Sequence, residues 1–254
     1  MTKLIDTHTH IDCLKKITPQ ESVQNAIDNG IEKIIVPASM PEDITKLPKF
    51  IERFDNAYGM LGVHPEEAEK WDYNLPDLIR EKLNSPKILG IGEIGLDYYW
   101  DKQHKELQKD IFIKQIKLAN EFGVPIAVHD RDAHKDCFDI LKEYNKTSTV
   151  IMHCFSGSIE FAKESIKEGW YIAIGGVVTF KSAIKTKEVA RNIPLERLLL
   201  ETDAPYLTPE PYRGKENQPA YVKFVAEEIA KLRGTTFEEI AEQTTSNAKK
   251  IFGF

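Results

Sequence analysis

Residues 4–12, LIDTHTHID, place two histidines one residue apart at the end of an apolar run, with Asp6 and Asp12 beside them. If this run is a β-strand, His8 and His10 point to the same face, because side chains alternate along a strand. Two imidazoles directed at one point make half of a metal site. The alternative is a strand whose histidines face solvent or make local hydrogen bonds, so the rest of the chain must decide.

Four further residues of metal-ligand type lie in or at the ends of apolar segments: Glu93, His129, His153 and Asp203. Each one alone has an ordinary explanation, such as a hydrogen-bonded histidine or an aspartate that caps a turn. Together with the first two histidines they suit borderline divalent ions such as Zn²⁺, Mn²⁺, Co²⁺ or Fe²⁺. They exceed the needs of one tetrahedral ion, so the sequence predicts two ions bridged by Glu93. Paired ions activate water, and we therefore predict hydrolysis.

The elements that must position these residues are eight short apolar segments separated by amphipathic helical patterns. The predicted strands are 3–8, 33–39, 57–64, 87–95, 125–130, 149–155, 171–178 and 197–203. Strands apolar enough to be buried on both faces indicate a parallel sheet, and their number predicts a single (β/α)8 TIM barrel whose strand ends share one mouth. The competing doubly wound fold usually has a glycine-rich loop after its first strand, where this chain has THTHID. We predict one domain over 1–254, with two closing helices at about 218–233 and 236–250.

Composition narrows the function class. The chain has 254 residues, 41% of them hydrophobic and 29% charged, with a net charge of −6, so no overall basic field attracts nucleic acid. Three cysteines without CxxC spacing indicate neither a disulfide framework nor a zinc knuckle. The N-terminus lacks the apolar core of a signal peptide, and no run approaches the roughly 20 apolar residues of a membrane helix. A cytoplasmic protein without a membrane partner is expected.

Several motifs together resemble the TatD-type deoxyribonucleases of the metal-dependent hydrolase (amidohydrolase) superfamily, and the resemblance covers essentially the whole chain. The segments that carry it are LIDTHTHID, GVHP (62–65), GEIGLDYY (92–99), PIAVHDRDA, HCFSGS (153–158), IPLERLLLETDAP and YRGKENQP (212–219). Two positions depart from the family pattern. Lys135 stands where the family usually has an acidic residue, and Glu216 stands where a basic residue is common.

The resemblance implies a role for each matching position. His8, His10, Glu93 and Asp203 would hold the first metal ion, and Glu93 would bridge to a second ion held by His129 and His153. Asp203 would also accept a proton from the nucleophilic water. Many relatives in the superfamily bridge their ions with a carbamylated lysine, but GIGEIGLD contains no lysine.

Residues that would contact the substrate are less sharply indicated. His64 ends the third strand, where it would either contact the substrate or a water near the metal ions, or make a structural hydrogen bond. Arg131 would bind a phosphate or pair with a neighbouring carboxylate, while Lys181 and Arg213 lie in loops that often bind phosphate in (β/α)8 enzymes. The run Tyr98, Tyr99 and Trp100 would stack on a base or cover the barrel rim. His104 and His134 are predicted to lie on the surface.

The favoured interpretation is a hydrolase with two divalent ions (Mg²⁺, Mn²⁺ or Zn²⁺) that cleaves phosphodiester bonds at DNA ends, without an obligate protein partner. A second hypothesis is hydrolysis of another ester or amide, such as deacylation of a D-aminoacyl-tRNA or opening of a small cyclic amide. A third is a metal-binding scaffold without catalysis. One fold supports many chemistries, so the fold and the ligands alone do not separate these hypotheses.

Overall fold

The structure, a computed structural model, describes residues 2–254. Eight strands form one sheet in chain order: β1 (Leu4–Asp6), β2 (Ile31–Pro37), β3 (Ala57–Leu61), β4 (Ile88–Asp97), β5 (Ile126–Arg131), β6 (Val150–Met152), β7 (Tyr171–Ile174) and β8 (Leu198–Leu200). The pairs β1–β2, β3–β4, β4–β5, β5–β6 and β7–β8 are parallel. This strand order, with helices between the strands, confirms the predicted (β/α)8 class.

The helices are α1 (Pro19–Asp28), α2 (Asp43–Ile51), α3 (Leu75–Lys82), α4 (Lys105–Phe122), α5 (His134–Tyr144), α6 (Ile159–Lys167), α7 (Ile184–Asn192), α8 (Val222–Arg233) and α9 (Phe237–Phe252). Local sequence sets their ends: Thr18 and Glu21 form a capping box at the start of α1. Glycines with positive φ follow α4, α8 and α9. The two predicted closing helices are α8 and α9. Among residues 2–254, none of the helices has the length and apolar character needed to cross a bilayer.

The chain divides into two compact units. Unit 1 contains residues 2–36, 154–167 and 171–254, and unit 2 contains residues 37–153 and 168–170. Strands β1, β7 and β8 belong to unit 1, and β3 to β6 belong to unit 2. The single domain expected over 1–254 stays a prediction.

All eight predicted strands are present, but several end before the residues of chemical interest. In unit 1, β1 ends at Asp6 rather than at residue 8. The next residue, Thr7, donates both its backbone N–H and its hydroxyl to the Leu200 carbonyl, each at 3.0 Å. The expectation that His8 and His10 share one face of a strand is therefore wrong, because both lie in the loop that follows β1.

Candidate functional site

Unit 1 brings His8, His10 and Asp203 together. The Nε2 atoms of the two histidines are 3.2 Å apart, and His10 Nε2 lies 3.6 Å from Asp203 Oδ1. Both histidines are buried. The loop does what the strand was expected to do: it directs both imidazoles to one point, through backbone conformation rather than strand alternation.

Backbone hydrogen bonds fix the two segments that carry these ligands. His10 N donates to the Ala204 carbonyl at 2.6 Å, and Asp203 N donates to the His8 carbonyl at 3.0 Å. Asp203 has a φ of +57°, in the left-handed region that residues other than glycine rarely adopt. Such a conformation costs on the order of 1 kcal/mol and persists where its surroundings impose it.

Asp6 binds the segment that carries Asp203, a role that the sequence did not reveal. Its Oδ1 accepts the Thr202 N–H at 2.9 Å, and its Oδ2 accepts the Thr202 hydroxyl at 2.6 Å. Burial raises the pKa of Asp6, although the hydrogen bonds from Thr202 act in the opposite direction. Asp6 thus links the segment before His8 to the segment before Asp203.

Unit 2 gathers three imidazoles around one carboxylate oxygen. Glu93 Oε1 lies 2.8 Å from His129 Nδ1 and 3.6 Å from His153 Nε2. His64 Nε2 is 3.5 Å from the same oxygen. Glu93 is buried on β4, and His129 lies on the neighbouring strand β5, with His153 one residue beyond β6. The predicted ligands Glu93, His129 and His153 therefore lie together.

His64, which the sequence indicated only as a substrate or structural residue, belongs to this cluster. Its Nδ1 accepts the Glu66 N–H at 3.2 Å. That bond assigns the proton of a neutral His64 to Nε2, the atom that faces Glu93. The orientation of the ring is thus set by the turn that begins at Pro65.

Asp97 is a further member of the cluster that sequence reasoning missed. It is fully buried, and its Oδ2 lies 2.9 Å from His129 Nε2. Burial disfavours the imidazolium, but the bonds to Asp97 and Glu93 outweigh burial and raise the pKa of His129 to about 10. Burial also opposes the Asp97 carboxylate, yet its hydrogen bonds lower the pKa of Asp97. The available signal was spacing, since positions 93, 95 and 97 share one face of β4.

Glu201, directly after β8, is a second buried carboxylate that the sequence analysis did not single out. It is fully buried, and its Oε1 accepts the Cys154 N–H at 2.7 Å within unit 1. An acidic residue immediately after the apolar run LLL was the signal that could have found it. Its bond to Cys154 anchors the chain just after residue 153.

The cationic substrate candidates lie on exposed surface. Arg131 forms no ion pair within residues 2–254, and its guanidinium instead lies over Tyr99 at 4.4 Å from the ring centroid. Arg213 lies over Phe180 at 3.6 Å, and the neighbouring Lys181 is exposed. The pairing of Arg131 with a neighbouring carboxylate, one of the two alternatives, is not observed.

The two departures from the family pattern have local explanations. Lys135 pairs with Asp139 on the exposed side of α5. Glu216 accepts backbone N–H groups of Lys15, Lys16 and Ile17 at 2.9, 2.8 and 3.2 Å. Partial burial acts against the carboxylate, but these bonds lower the pKa of Glu216. Glu216 therefore fixes the backbone of residues 15–17 within unit 1 by accepting its hydrogen bonds. A basic side chain at this position could not accept them.

Each cluster has the donor set of a divalent-metal site. The ligand atoms of His8, His10 and Asp203 lie within 4.8 Å of one another, and so do those of His64, Glu93 and His129. Imidazole nitrogens and carboxylate oxygens at this spacing suit borderline divalent ions. The residues of both clusters fit the metal ions that the sequence indicated, while convergence of all six predicted ligands on one centre stays a prediction.

Comparisons with known proteins find metal-dependent hydrolases similar to this chain. A family model described as TatD related DNase matches residues 5–253. The chain is 47% identical over 253 residues to the uncharacterized metal-dependent hydrolase YabD of Bacillus subtilis, covering 98% of each chain. It is 38% identical over 259 residues to the uncharacterized metal-dependent hydrolase YcfH of Escherichia coli K12, covering 98% of this chain and 95% of YcfH. The crystal structure of YjjV, a TatD homologue from Escherichia coli K12, has a TM-score of 0.93 at 33% identity, covering 100% of this chain and 99% of YjjV.

Proposed function

Because the chain belongs to the TatD-related DNase family of metal-dependent hydrolases, we propose that it is a nuclease that trims DNA ends. The observation that carries the proposal is Arg131, an exposed guanidinium without an ion pair in residues 2–254, two positions beyond His129. A planar cation beside a metal-ligand cluster is suited to a phosphate oxygen. A substrate without a phosphate would offer this guanidinium no anionic partner.

Two divalent ions, Mg²⁺, Mn²⁺ or Zn²⁺, are proposed as the cofactor. His8, His10 and Asp203 would hold one ion in unit 1, and Glu93, His129 and His153 would hold the other in unit 2. Glu93 as a ligand shared by both ions is the arrangement that the family resemblance implies. When bound, the ions acidify water and stabilise the charge that develops on phosphate oxygens.

The protein's own residues supply proton transfer and orientation. Asp203 would accept the proton of the attacking water, as a carboxylate placed beside that water can. His64 carries its proton on Nε2 when neutral, so it can donate a hydrogen bond to a substrate oxygen. Arg131 would orient the phosphate by binding an oxygen that is not part of the cleaved bond. The net charge of −6 favours a local grip on a strand end over binding along a duplex.

The decisive experiment compares linear and covalently closed circular single-stranded DNA of the same length, incubated with protein loaded with Mg²⁺ or Mn²⁺. We expect stepwise shortening of the linear strand, resistance of the circle, and loss of activity in EDTA. Asp203→Asn protein prepared in parallel controls for contaminating nuclease. Cleavage of circles at the linear rate contradicts end trimming. Hydrolysis of a D-aminoacyl-tRNA ester with intact DNA favours the deacylase alternative.

A further inference from the structure

Two aromatic side chains that follow β4 are exposed although neither the fold nor the metal clusters require them. Tyr99 is 48% exposed and Trp100 is 62% exposed. Their neighbour Tyr98 is different: it is buried, and its hydroxyl donates to Asp136 Oδ2 at 2.7 Å. Tyr98 is therefore buried and hydrogen-bonded, whereas the rings of Tyr99 and Trp100 face solvent. Exposed neighbouring aromatic rings are typical of a contact surface rather than of a core.

Arg131 completes this surface. Its guanidinium carbon lies 4.4 Å from the Tyr99 centroid and 5.5 Å from the Trp100 centroid. The two rings pack edge to face with centroids 4.8 Å apart. The register of β4 and β5, which pairs Asp97 with Arg131, brings the arginine to the start of the aromatic pair. An exposed cation is therefore combined with two exposed aromatic rings.

The aromatic pair is held by the carboxylate that also holds a candidate metal ligand. Asp97 Oδ1 accepts the backbone N–H groups of Tyr99 and Trp100 at 2.9 and 2.8 Å. Its other oxygen, Oδ2, lies 2.9 Å from His129 Nε2. One buried side chain therefore fixes the position of the two rings relative to His129, so a molecule stacked on the rings is held beside the unit 2 cluster.

We propose that Tyr99, Trp100 and Arg131 form a subsite for one unpaired nucleotide of the DNA end. Its base stacks on the exposed Trp100 ring, against which Tyr99 packs edge to face, and its phosphate is bound by the Arg131 guanidinium. Stacking on aromatic side chains tolerates any sequence, because every base has a π-face. A base inside a duplex is already stacked on its neighbours, so its faces are not open to the protein. The subsite therefore selects single-stranded or frayed ends. This inference rests on the proposed nuclease function and names the part of the substrate that is recognised.

The test combines removal of the protein ring with removal of the DNA base. Trp100→Ala deletes the indole but keeps the backbone N–H that binds Asp97, and the matched substrate carries an abasic nucleotide at its end. We expect Trp100→Ala to raise KM for the normal oligonucleotide about 5- to 150-fold, the range for loss of one stacked base. With wild-type protein, the abasic oligonucleotide should have a KM as high as that of Trp100→Ala for the normal oligonucleotide. Trp100→Ala should not raise the KM for the abasic oligonucleotide any further.

Controls separate stacking from general damage. Trp100→Phe retains a ring and should keep most of the affinity. Phe122→Ala removes another exposed ring, at the end of α4 and before β5, and should leave KM unchanged. Metal binding measured by calorimetry should be the same in Trp100→Ala and wild type. In metal-free protein, an oligonucleotide should quench the fluorescence of Trp100, and the quenching should disappear in Trp100→Phe.

The outcomes distinguish the subsite from the function on which it rests. If DNA ends are trimmed but the normal and abasic oligonucleotides have equal KM, the nuclease is correct and the subsite is wrong. The subsite is equally wrong if Trp100→Ala weakens both oligonucleotides by the same factor. If metal-loaded protein neither binds nor trims DNA, the proposed function fails and the subsite fails with it.

Discussion

Asp97 and Glu93 bind the His129 ring from opposite sides. Asp97 Oδ2 lies 2.9 Å from Nε2, and Glu93 Oε1 lies 2.8 Å from Nδ1. A carboxylate behind an imidazole ligand fixes the ring and raises its basicity toward a metal ion on the other nitrogen. In the proposed metal site, Nδ1 of His129 would therefore face the ion and Nε2 the supporting carboxylate.

Asp97→Asn should weaken metal binding by about 10- to 100-fold, because the uncharged amide no longer supports the ring. The pKa of His129 in metal-free protein, raised to about 10 in part by Asp97, should fall. Calorimetry with Mn²⁺ and ¹⁵N NMR of the imidazole measure the two effects. An unchanged metal affinity together with an unchanged pKa would show that Asp97 serves only the loop after β4.

Asp203→Asn should separate chemistry from metal loading. The amide retains an oxygen near His10 but cannot accept the proton of water, so turnover should fall at least about 10²-fold. Circular dichroism should stay near wild type, because the backbone bonds of residue 203 do not depend on the carboxylate, and turnover is compared at saturating metal. Near-normal turnover in metal-loaded Asp203→Asn would identify another group as the base.

The order of the elements and the residue types that form the two clusters were predictable from the sequence, because both depend on local patterns. Apolar runs that alternate with amphipathic segments predicted eight strands, and an HxH motif indicated two neighbouring imidazoles irrespective of its backbone conformation. The conformation itself was predicted wrongly, since β1 ends at Asp6 and the next residue, Thr7, is bonded to Leu200, which lies 193 residues further along the chain. No local pattern contains that interaction.

Arg213→Ala should raise KM for DNA roughly 10-fold and change KM for a small phosphodiester much less. Its guanidinium, held over Phe180 beside the exposed Lys181, would bind phosphates beyond the cleaved bond. Steady-state kinetics on both substrates test this. Arg53→Ala is a matched control, since Arg53 also lies over an aromatic ring but precedes β3. Equal effects of Arg213→Ala on the two substrates would place Arg213 at the cleaved phosphate instead.

Glu216→Gln should destabilise the protein in a pH-dependent manner. The pKa of Glu216 lies below its ordinary value of 4.5, so the carboxylate stabilises the fold above that pH, and the stabilisation is lost as pH falls through the folded pKa. At pH 7 we expect a loss of about 1 kcal/mol, a figure reduced for partial exposure of the group. Thermal unfolding midpoints measured near pH 7 and near pH 3.5 should show the difference shrinking at the lower pH.

Glu210→Gln is the control for this effect, because Glu210 is an exposed glutamate of the same loop. Its midpoint should match wild type at both pH values. A difference between Glu216→Gln and wild type that persists unchanged near pH 3.5 would show that shape, rather than charge, is what residue 216 contributes.

Side-chain partners were the least predictable part of the site. Arg131 has Asp130 and Asp132 as sequence neighbours, yet its guanidinium lies over two aromatic rings. Successive residues of a strand point to opposite faces, so adjacency in sequence separates these charges. Asp97 was overlooked for a related reason: one carboxylate at a strand end resembles many others until the structure shows that the His129 ring lies 2.9 Å from its Oδ2.

The bond between Asp6 and Thr202 has a consequence for synthesis on the ribosome. The two residues are 196 positions apart, so the segment that carries His8 and His10 leaves the ribosome long before its partner has been made. Residues 37–153 of unit 2 form one continuous stretch, and Glu93, His129 and His153 are all translated within it. The unit 1 cluster therefore assembles only when the chain is nearly complete. A stalled or truncated translation product that ends before residue 203 lacks Asp203 and, with it, the proposed base.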